Sequence, residues 1–338
     1  MADTILYDSA MRLFADHATP EVLAEAGDGL WPGALWQAVA DAGYLDVLLD
    51  GPANMEEAAT ILRAAGHHAA PIPLAETMLA RWLCAAVQLA APDGVLTIAP
   101  VEPGDRLIVG TGAVSGTARH IPWGLEATAI VIVAERDVAL SSSGVFSWDA
   151  GDNLANEPRD TLSAAGARAD ARTLPDGIDA ALVLRWGALL RAAQMAGAME
   201  AALAISTQYA NERIQFGRPI GKFQAIQQQM AVLAEHAAAS LVAVENAARA
   251  VAEGRPSAGF ACAAAKLRAG EAAGKVAEIA HQVHGAIGFT QEYRLHHATR
   301  RLWSWRDEFG SETYWARELG RQIAEAGADG LWPLITAG

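Results

Sequence analysis

Cysteine is scarce in this chain of 338 residues, which holds only Cys84 and Cys262. Neither lies in a Cys-x-x-Cys pair or a Cys/His cluster, so the sequence predicts no metal site built on thiolates. Both occur in alanine-rich stretches of helical character, where a buried and unreactive thiol is the ordinary state. We therefore expect no bound metal.

Positive charge is also in short supply. The chain has 25 Lys and Arg against 39 Asp and Glu, which gives a net charge of −14 and a pI near 5.0. This balance argues against a nucleic-acid partner, because phosphate binding requires a basic face. No run of about 18 apolar residues occurs, and the N-terminus lacks a basic stretch followed by an apolar one, so we expect no membrane span and a cytoplasmic location.

Apolar residues are plentiful, at 52% of the total, which is enough to build a large core. The texture of the sequence divides into three zones, and we predict domains at residues 1–91, 92–175 and 176–338. The first zone has apolar residues at helical intervals. The second has short β-branched runs separated by glycine and serine, which predicts a small antiparallel sheet or barrel.

The third zone is helical again. Asp176 is predicted to cap a helix that extends to about Arg213, and three further helices are predicted at about residues 224–253, 258–286 and 295–326. Long antiparallel helices with short connections indicate a four-helix bundle. The predicted fold class is α+β, mostly α, with an N-terminal helical domain, a small middle β-domain and a C-terminal four-helix bundle.

The segment Asn211-Glu-Arg-Ile-Gln-Phe-Gly-Arg-Pro-Ile220 is the first candidate binding motif. Gly217 and Pro219 are expected to end a helix, which would place Arg213 and Phe216 one turn apart on one face. Such an arginine can present a planar fork to a phosphate, with the neighbouring ring packed over a flat cofactor. A cationic helix cap and a core aromatic residue would give the same pattern.

The segment Gln282-Val-His-Gly-Ala-Ile-Gly-Phe289 is the second candidate motif. Small residues at Gly285 and Ala286 let a ligand approach the backbone closely and expose N–H groups to an anion. Gln282 adds a side-chain donor. His284 could either reach a phosphate or serve packing.

Taken together, these two segments resemble the acyl-CoA dehydrogenase family. Their order and separation fit, as do Phe223-Gln224-Ala-Ile-Gln227 after the first and Glu292-Tyr293 after the second. The resemblance covers nearly the whole chain as an order of zones, and residues 187–322 at the level of motifs. It implies the family's fold and a part in the FAD-dependent α,β-desaturation of an acyl-CoA thioester.

The resemblance also implies a FAD that is shared at a subunit interface. In the family, these two segments of one subunit hold the ADP part of the FAD of its neighbour. Matched residue by residue, the contacts in this sequence are Arg213, Phe216, Gln224, Gln282 and Gly285. Ala286 stands where the family usually has glycine, a change that adds one methyl group.

The usual catalytic base of the family is missing. That base is a glutamate, and Phe309, which cannot accept a proton, stands at its position. Some members carry the glutamate on the helix that enters the bundle, but Gly187 and Ala188 occupy those places. Glu308 is a weak remaining candidate because an offset of one residue rotates a helical side chain by about 100°. Ion pairing within Arg306-Asp307-Glu308 is the alternative role for it.

The segments that would face this subunit's own flavin differ as well. Residues 96–104 replace a Thr-Glu-Pro-x-Ala-Gly-Ser loop but lack its last part. His120-Ile121-Pro122 replaces Trp-Ile-Thr/Ser, and Pro122 offers neither a hydroxyl nor an N–H. This asymmetry resembles the short subunits of heteromeric (α2β2) acyl-CoA dehydrogenases, which are associated with the degradation of steroid or bile-acid side chains.

Three hypotheses follow for the function. In the first, the chain is a non-catalytic subunit that completes the FAD site of a catalytic acyl-CoA dehydrogenase partner. In the second, it is a self-sufficient homo-oligomeric enzyme that uses Glu308 as base. In the third, it is a flavin-free structural homologue, and a change at Arg213 would have no effect.

Two further groups of residues have more than one interpretation. The adjacent pairs His67-His68 and His296-His297 point about 100° apart on a helix, which favours a surface or interface role over metal binding. An aromatic group near the expected substrate end either fills a vestigial acyl pocket or packs as ordinary core; its members are Trp303, Trp305, Phe309, Tyr314 and Trp315.

Overall fold

The N-terminal part of the chain is helical. The computed structural model describes residues 2–99 and 105–336. The α-helices before the first strand are α1 (Ala2–His17), α2 (Pro20–Gly27), α3 (Gly33–Asp41), α4 (Met55–His67) and α5 (Leu74–Ala86). Helix α2 begins where Thr19 Oγ1 accepts the Val22 N–H at 3.4 Å and Pro20 takes the first helical position. Helix α5 is buried along most of its length.

Two small sheets form the middle of the chain. Their strands are β1 (Leu96–Ala99), β2 (Arg106–Gly110), β3 (Ala113–Pro122), β4 (Ala129–Ala134), β5 (Asp137–Ser142), β6 (Ser147–Asp149), β7 (Arg159–Arg168) and β8 (Asp170–Thr173). The strand orders are β1-β4-β5-β8 and β2-β3-β7-β6. The prediction of one antiparallel sheet or barrel was wrong in two respects, because there are two sheets and β1 pairs with β4 in parallel. Val114, Ile130 and Leu162 belong to the small core that the sheets share.

The C-terminal part consists of long helices and one small hairpin. Its elements are α6 (Ala180–Glu212), β9 (Ile214–Gln215), β10 (Arg218–Pro219), α7 (Gln224–Ala252), α8 (Ala258–His284), α9 (Leu295–Trp305) and α10 (Glu312–Thr336). The cap of α6 is Asp179, whose Oδ1 accepts the Leu182 N–H at 2.7 Å. The predicted cap, Asp176, instead pairs with Arg136 at 3.1 Å.

The fourth helix of the predicted bundle is broken into two. Residues 306–311 separate α9 from α10, and within them Phe309 and Gly310 have positive φ angles of 53° and 95°. An α-helix cannot continue through the left-handed region, so the prediction of one helix over residues 295–326 was wrong. Helix α10 also bends at Gly327, where φ is 71°.

Helix α6 lies at the centre of the molecule. It contacts α4, α7, α8 and α9. Its length and composition alone would let it cross a membrane, but 83% of its most apolar window is buried by the rest of the chain, which is the environment of a core helix. The predicted fold class, mostly α with a small β part between helical parts, is confirmed. The domain boundaries at residues 91/92 and 175/176 stay predictions.

Candidate functional site

Three of the predicted cofactor-binding segments meet at one end of the helical part. The β9–β10 hairpin, the start of α7 and the end of α8 share a small apolar cluster that contains Ala210, Ile220 and Val283, with Phe223 and Ile226 packed against it. This cluster fixes the hairpin that carries Arg213 beside the helix end that carries Gln282. The sequence motifs are therefore close in space although about 70 residues separate them along the chain.

The first motif forms a hairpin and not the end of a helix. Helix α6 stops at Glu212, and Phe216 and Gly217 turn the chain with φ angles of 50° and 77°. The prediction that Arg213 and Phe216 lie one helical turn apart was wrong, because Arg213 is extended and Phe216 lies in the turn of the hairpin. The Ile220 N–H donates to the Arg213 carbonyl at 2.8 Å, which joins the two ends of the hairpin. The Phe216 ring is 91% exposed, an unusual state for a large apolar side chain.

The second motif closes α8 with a tight turn. Gly285 ends the helix at φ 64° and ψ −144°, and residues 285–289 continue as a 3₁₀ turn. Gln282, Gly285 and Ala286 are exposed, so the methyl group of Ala286 extends into open space. Phe289 is 68% exposed and lies on the same turn.

The six predicted cofactor residues are all exposed, and their polar groups are available to a ligand. Within the described part of the chain, the side chains of Arg213, Gln224 and Gln282 have no hydrogen-bond or ion-pair partner. A guanidinium fork, two amides and an exposed ring suit a ligand that joins phosphates to a flat base. These residues therefore fit the ADP part of FAD.

The two positions at which the resemblance predicts a catalytic glutamate are buried. Phe309 is 3% exposed, and a Cβ added to Gly187 would lie 2.3 Å from Phe309 Cδ1. Ala188, the neighbour of Gly187, is fully buried. The Trp315 indole N–H donates to the Phe309 carbonyl at 3.0 Å. The ring of Phe309 therefore fills the space beside Gly187 on α6.

Glu308 is held by several donors. Arg159 Nε donates to its Oε1 at 2.9 Å and Arg159 Nη2 to its Oε2 at 3.1 Å. Asn153 Nδ2 donates to Oε1 at 3.2 Å, and Arg191 Nη2 lies 2.9 Å from Oε2. The Glu308 side chain is 15% exposed. A carboxylate has about four lone-pair sites, and these four contacts use them.

Glu308 lies in the middle of a row of six charged side chains with alternating sign. The order is Glu76, Arg191, Glu308, Arg159, Glu157 and Arg301, and each makes an ion pair with the next. We call this row the ionic chain. Burial raises the pKa of Glu157, but the guanidinium groups of Arg301 and Arg159 outweigh it and hold that pKa below its usual range. Of these six residues the sequence pointed only to Glu308, because the partners in the ionic chain lie up to 149 residues apart along the chain.

The segments predicted to face the subunit's own flavin are only partly described. Residues 100–104 lie outside the described residues, while residues 96–99 form β1. Pro122 is buried at the end of β3, and its carbonyl accepts the Thr97 hydroxyl at 2.5 Å. The neighbouring Trp123 is 4% exposed, and the guanidinium carbon of Arg159 lies 4.8 Å from the centroid of the Trp123 ring.

The aromatic group near residue 309 does not form one cluster. Trp305 and Phe309 lie on Arg191, at 5.4 and 5.7 Å between guanidinium carbon and ring centroid. Trp303 instead stacks on His281 at 5.5 Å. Tyr314 is 39% exposed. Trp305, Phe309 and Trp315 belong to the main core, so packing accounts for most of the group.

In each of the two adjacent histidine pairs, the two imidazole rings lie close together. The ring centroids of His67 and His68 are 5.1 Å apart, and those of His296 and His297 are 4.0 Å apart. Over residues 2–99 and 105–336, no three His, Cys, Asp or Glu side chains are placed to hold one metal ion. A groove of about 780 Å³ lies near the second pair and is lined by Trp123, Glu157 and Arg301, but not by Gly187 or Phe309.

Comparison with known proteins agrees with the motifs. The family model "Acyl-CoA dehydrogenase, C-terminal domain" matches residues 176–323. Acyl-CoA dehydrogenase FadE27 of Mycobacterium tuberculosis is 30% identical over 338 aligned residues, which cover 87% of this chain and 89% of that protein.

Two solved structures are similar over their full length. A chain of the ChsE4-ChsE5 complex from Mycobacterium tuberculosis is 26% identical with a TM-score of 0.85, covering 97% of this chain and 98% of that one. A chain of the Tcur3481-Tcur3483 steroid ACAD is 26% identical with a TM-score of 0.87, covering 97% and 99%.

Proposed function

Since this chain belongs to the acyl-CoA dehydrogenase family of oxidoreductases, we propose that it is the non-catalytic subunit of a heteromeric acyl-CoA dehydrogenase. In this proposal it completes the FAD site of a catalytic partner and has no catalytic base of its own. Desaturation of the acyl-CoA would take place on the partner, which would supply the base for the α-proton, and the FAD held there would supply the acceptor for the β-hydride. A cytoplasmic location is part of the proposal.

One observation carries the proposal: the position expected for a catalytic base is buried, whereas the residues expected to bind a neighbour's cofactor are exposed. The place of the base is closed by Phe309, which packs on Gly187 and is 3% exposed. The residues for a neighbour's cofactor are open, with Phe216 91% exposed and the Arg213 guanidinium unpaired within the described residues. An exposed aromatic ring beside unused donors is typical of a surface that a partner and its ligand cover.

Glu308 is badly placed to act as a base. To take a proton from a substrate carbon it would have to give up a hydrogen bond from Arg159 or Asn153, or its contact with Arg191. Breaking a buried ion pair in this way costs several kcal/mol, about 3–5. This cost favours the non-catalytic role over a self-sufficient enzyme.

The names of the similar proteins suggest the partner and the substrate class. One similar chain occurs in a complex of two differently named chains, ChsE4 and ChsE5, and the other in a steroid ACAD. By this analogy, the partner is a second acyl-CoA dehydrogenase chain. The substrate is an acyl-CoA derived from the side chain of a steroid or bile acid.

Flavin absorbance tests the proposal. The chain purified alone should be colourless, and the complex obtained by co-expression with the acyl-CoA dehydrogenase encoded beside it should be yellow, with FAD bound at the interface. Adding a steroid side-chain acyl-CoA should bleach the complex. Stoichiometric FAD on the lone chain, bleached by an acyl-CoA, would contradict the proposal and support a self-sufficient enzyme.

The Glu308→Gln variant separates the two roles of Glu308. In the complex, kcat should stay within about twofold of wild type, while the free energy of unfolding falls by about 3 kcal/mol because Arg159 and Arg191 lose a charged partner. Glu278→Gln, which changes an exposed ion pair with Lys275, should cost less than about 0.5 kcal/mol. A loss of kcat of a hundredfold or more in Glu308→Gln, with FAD retained, would assign the base to Glu308.

A further inference from the structure

His284 belongs to the second proposed FAD-binding segment, and its ring faces the end of α6, where the first segment begins. It is the last residue of α8, directly before Gly285, and is only 4% exposed. Its ring stacks on Tyr209, with centroids 4.5 Å apart and planes at 26°, and lies 5.0 Å from the ring of Tyr293. Tyr209 belongs to α6, and Tyr293 follows the turn of the second motif. One imidazole of the second segment therefore contacts the residue two positions before the first segment and a residue just after the second.

Both nitrogens of His284 are used inside the chain, so the ring cannot serve as the phosphate ligand considered from the sequence. The carbonyl of Ala280 can only accept, so His284 Nδ1, 2.7 Å away, carries the proton. Nε2 is then the acceptor and takes the hydroxyl of Tyr293 at 3.2 Å. Burial lowers the pKa of His284, which is consistent with this neutral form.

Tyr209 connects His284 to Arg213. The Arg213 N–H donates to the Tyr209 carbonyl at 2.8 Å, where α6 ends. On the other side, a Cβ added to Gly288 would lie 3.0 Å from His284 Cβ and 3.2 Å from His281 Nδ1, so the turn packs on the base of the His284 side chain and on the ring of His281. A shift of the His284 ring would move the turn relative to the hairpin.

We propose that His284 is a positioning residue that holds the Arg213 hairpin and the Gly285–Phe289 turn in one fixed arrangement for the ADP part of FAD. This inference rests on the proposed function. His284 touches no ligand in it; the ring keeps two separate groups of donors at the spacing that a single ADP requires. Preorganised donors bind more tightly because the ligand does not have to order them.

A double-mutant cycle on FAD affinity in the heteromeric complex tests the inference. Tyr293→Phe removes only the hydroxyl that His284 accepts, and His284→Phe keeps a stacking ring but loses both hydrogen bonds. We expect the FAD dissociation constant to rise about fivefold and about 25-fold, as for the loss of one and of two hydrogen bonds. Tyr44→Phe is the matched control, since Tyr44 is a buried tyrosine of the N-terminal part, and it should leave FAD affinity unchanged.

The decisive comparison uses Arg213→Ala as background. Without Arg213 the hairpin keeps no predicted hydrogen-bond donor side chain for the ADP and only the Phe216 ring remains on it, so the position of the hairpin relative to the turn matters much less. Tyr293→Phe and His284→Phe should then change FAD affinity by less than twofold. An equal change in both backgrounds would overturn the inference, because a purely structural loss is additive.

The outcome of Arg213→Ala alone keeps the two proposals apart. If it weakens FAD binding by tenfold or more, the proposed function holds, and the cycle decides the role of His284. If it leaves FAD affinity unchanged, the proposed function itself fails. Should His284→Phe not fold, Tyr293→Phe carries the cycle alone.

Discussion

Lys266 lies on α8 with its ammonium group under the loop that joins α9 to α10. It is 1% exposed, and its Nζ donates to the carbonyls of Arg306 and Gly310 at 2.6 and 2.9 Å. Burial lowers its pKa to about 7, although Glu312 and Glu308 act in the opposite direction. The residue therefore holds the Phe309 loop in place as a donor that is largely uncharged above neutral pH.

Lys266 should make the stability of the chain depend on pH above neutrality. Between about pH 7 and 8.5 the unfolded chain binds its lysine proton and the folded chain does not, so the free energy of unfolding rises with pH. We expect a slope of about 1 kcal/mol per pH unit, measured by urea denaturation. The two cysteines act in the opposite direction toward the upper end of this interval, because burial raises the pKa of Cys84 and Cys262 to about 11 and about 12 while the thiols of the unfolded chain begin to ionise.

Lys266→Met is the control for this slope. It removes the titrating group and leaves a side chain of similar length, so the slope of the variant should be lower than that of wild type by about 1 kcal/mol per pH unit, while the histidines and cysteines contribute equally to both. An unchanged slope in this variant would show that another group is responsible.

At the scale of elements, the break between α9 and α10 determines how Phe309 packs against α6. Because Phe309 has a positive φ of 53°, its ring turns inward against α6. Gly187 makes room for it, since any larger residue on that face of α6 would overlap the ring. Helix and loop thus fit together only with a glycine at residue 187.

Gly187→Ala should destabilise the chain by about 1–3 kcal/mol, because a Cβ there would lie 2.3 Å from a buried ring. Gly320→Ala is the matched control: it lies in α10 with no atom within 4 Å of an added Cβ. It should stabilise by about 0.5–1 kcal/mol through helix propensity. Thermal unfolding of both variants decides the point, and a Gly187→Ala chain as stable as Gly320→Ala would mean that Phe309 moves freely.

Elements were easier to predict from the sequence than their ends. Helical periodicity located α6, α7 and α8 because each buries apolar residues that recur at helical intervals over much of its length. The break after α9 was missed because its cause is the packing of Phe309 on Gly187, which lies 122 residues earlier. The cap was placed at Asp176 because any aspartate before an apolar run fits that rule, and only the path of the chain selects Asp179.

The candidate site divides in the same way. The exposed donors, such as Arg213 and Gln282, lie in contiguous motifs and could be found from the sequence. The contacts of Glu308 with Asn153, Arg159 and Arg191 join three distant segments, so the sequence alone left its role open. Whether FAD binds at the exposed donors stays a prediction.

At the scale of the whole molecule, the ionic chain ties every part of the structure to the others. Glu76 comes from the N-terminal helices and Glu157 and Arg159 from the β part, while Arg191, Arg301 and Glu308 come from the helical C-terminal part. Five of the six residues are at most 4% exposed. No part can bury its own members with full pairing until the other two are in place, and an unpaired buried charge is costly.

The chain should therefore unfold as a single cooperative unit, although its 338 residues exceed the usual size of a two-state domain. Scanning calorimetry of the full chain should give one transition with equal calorimetric and van't Hoff enthalpies, and two resolved transitions would contradict this. The same alternating row of charges that pairs Glu308 with two arginines would thus join three predicted domains into one folding unit, whose parts cannot be separated without leaving a buried charge unpaired.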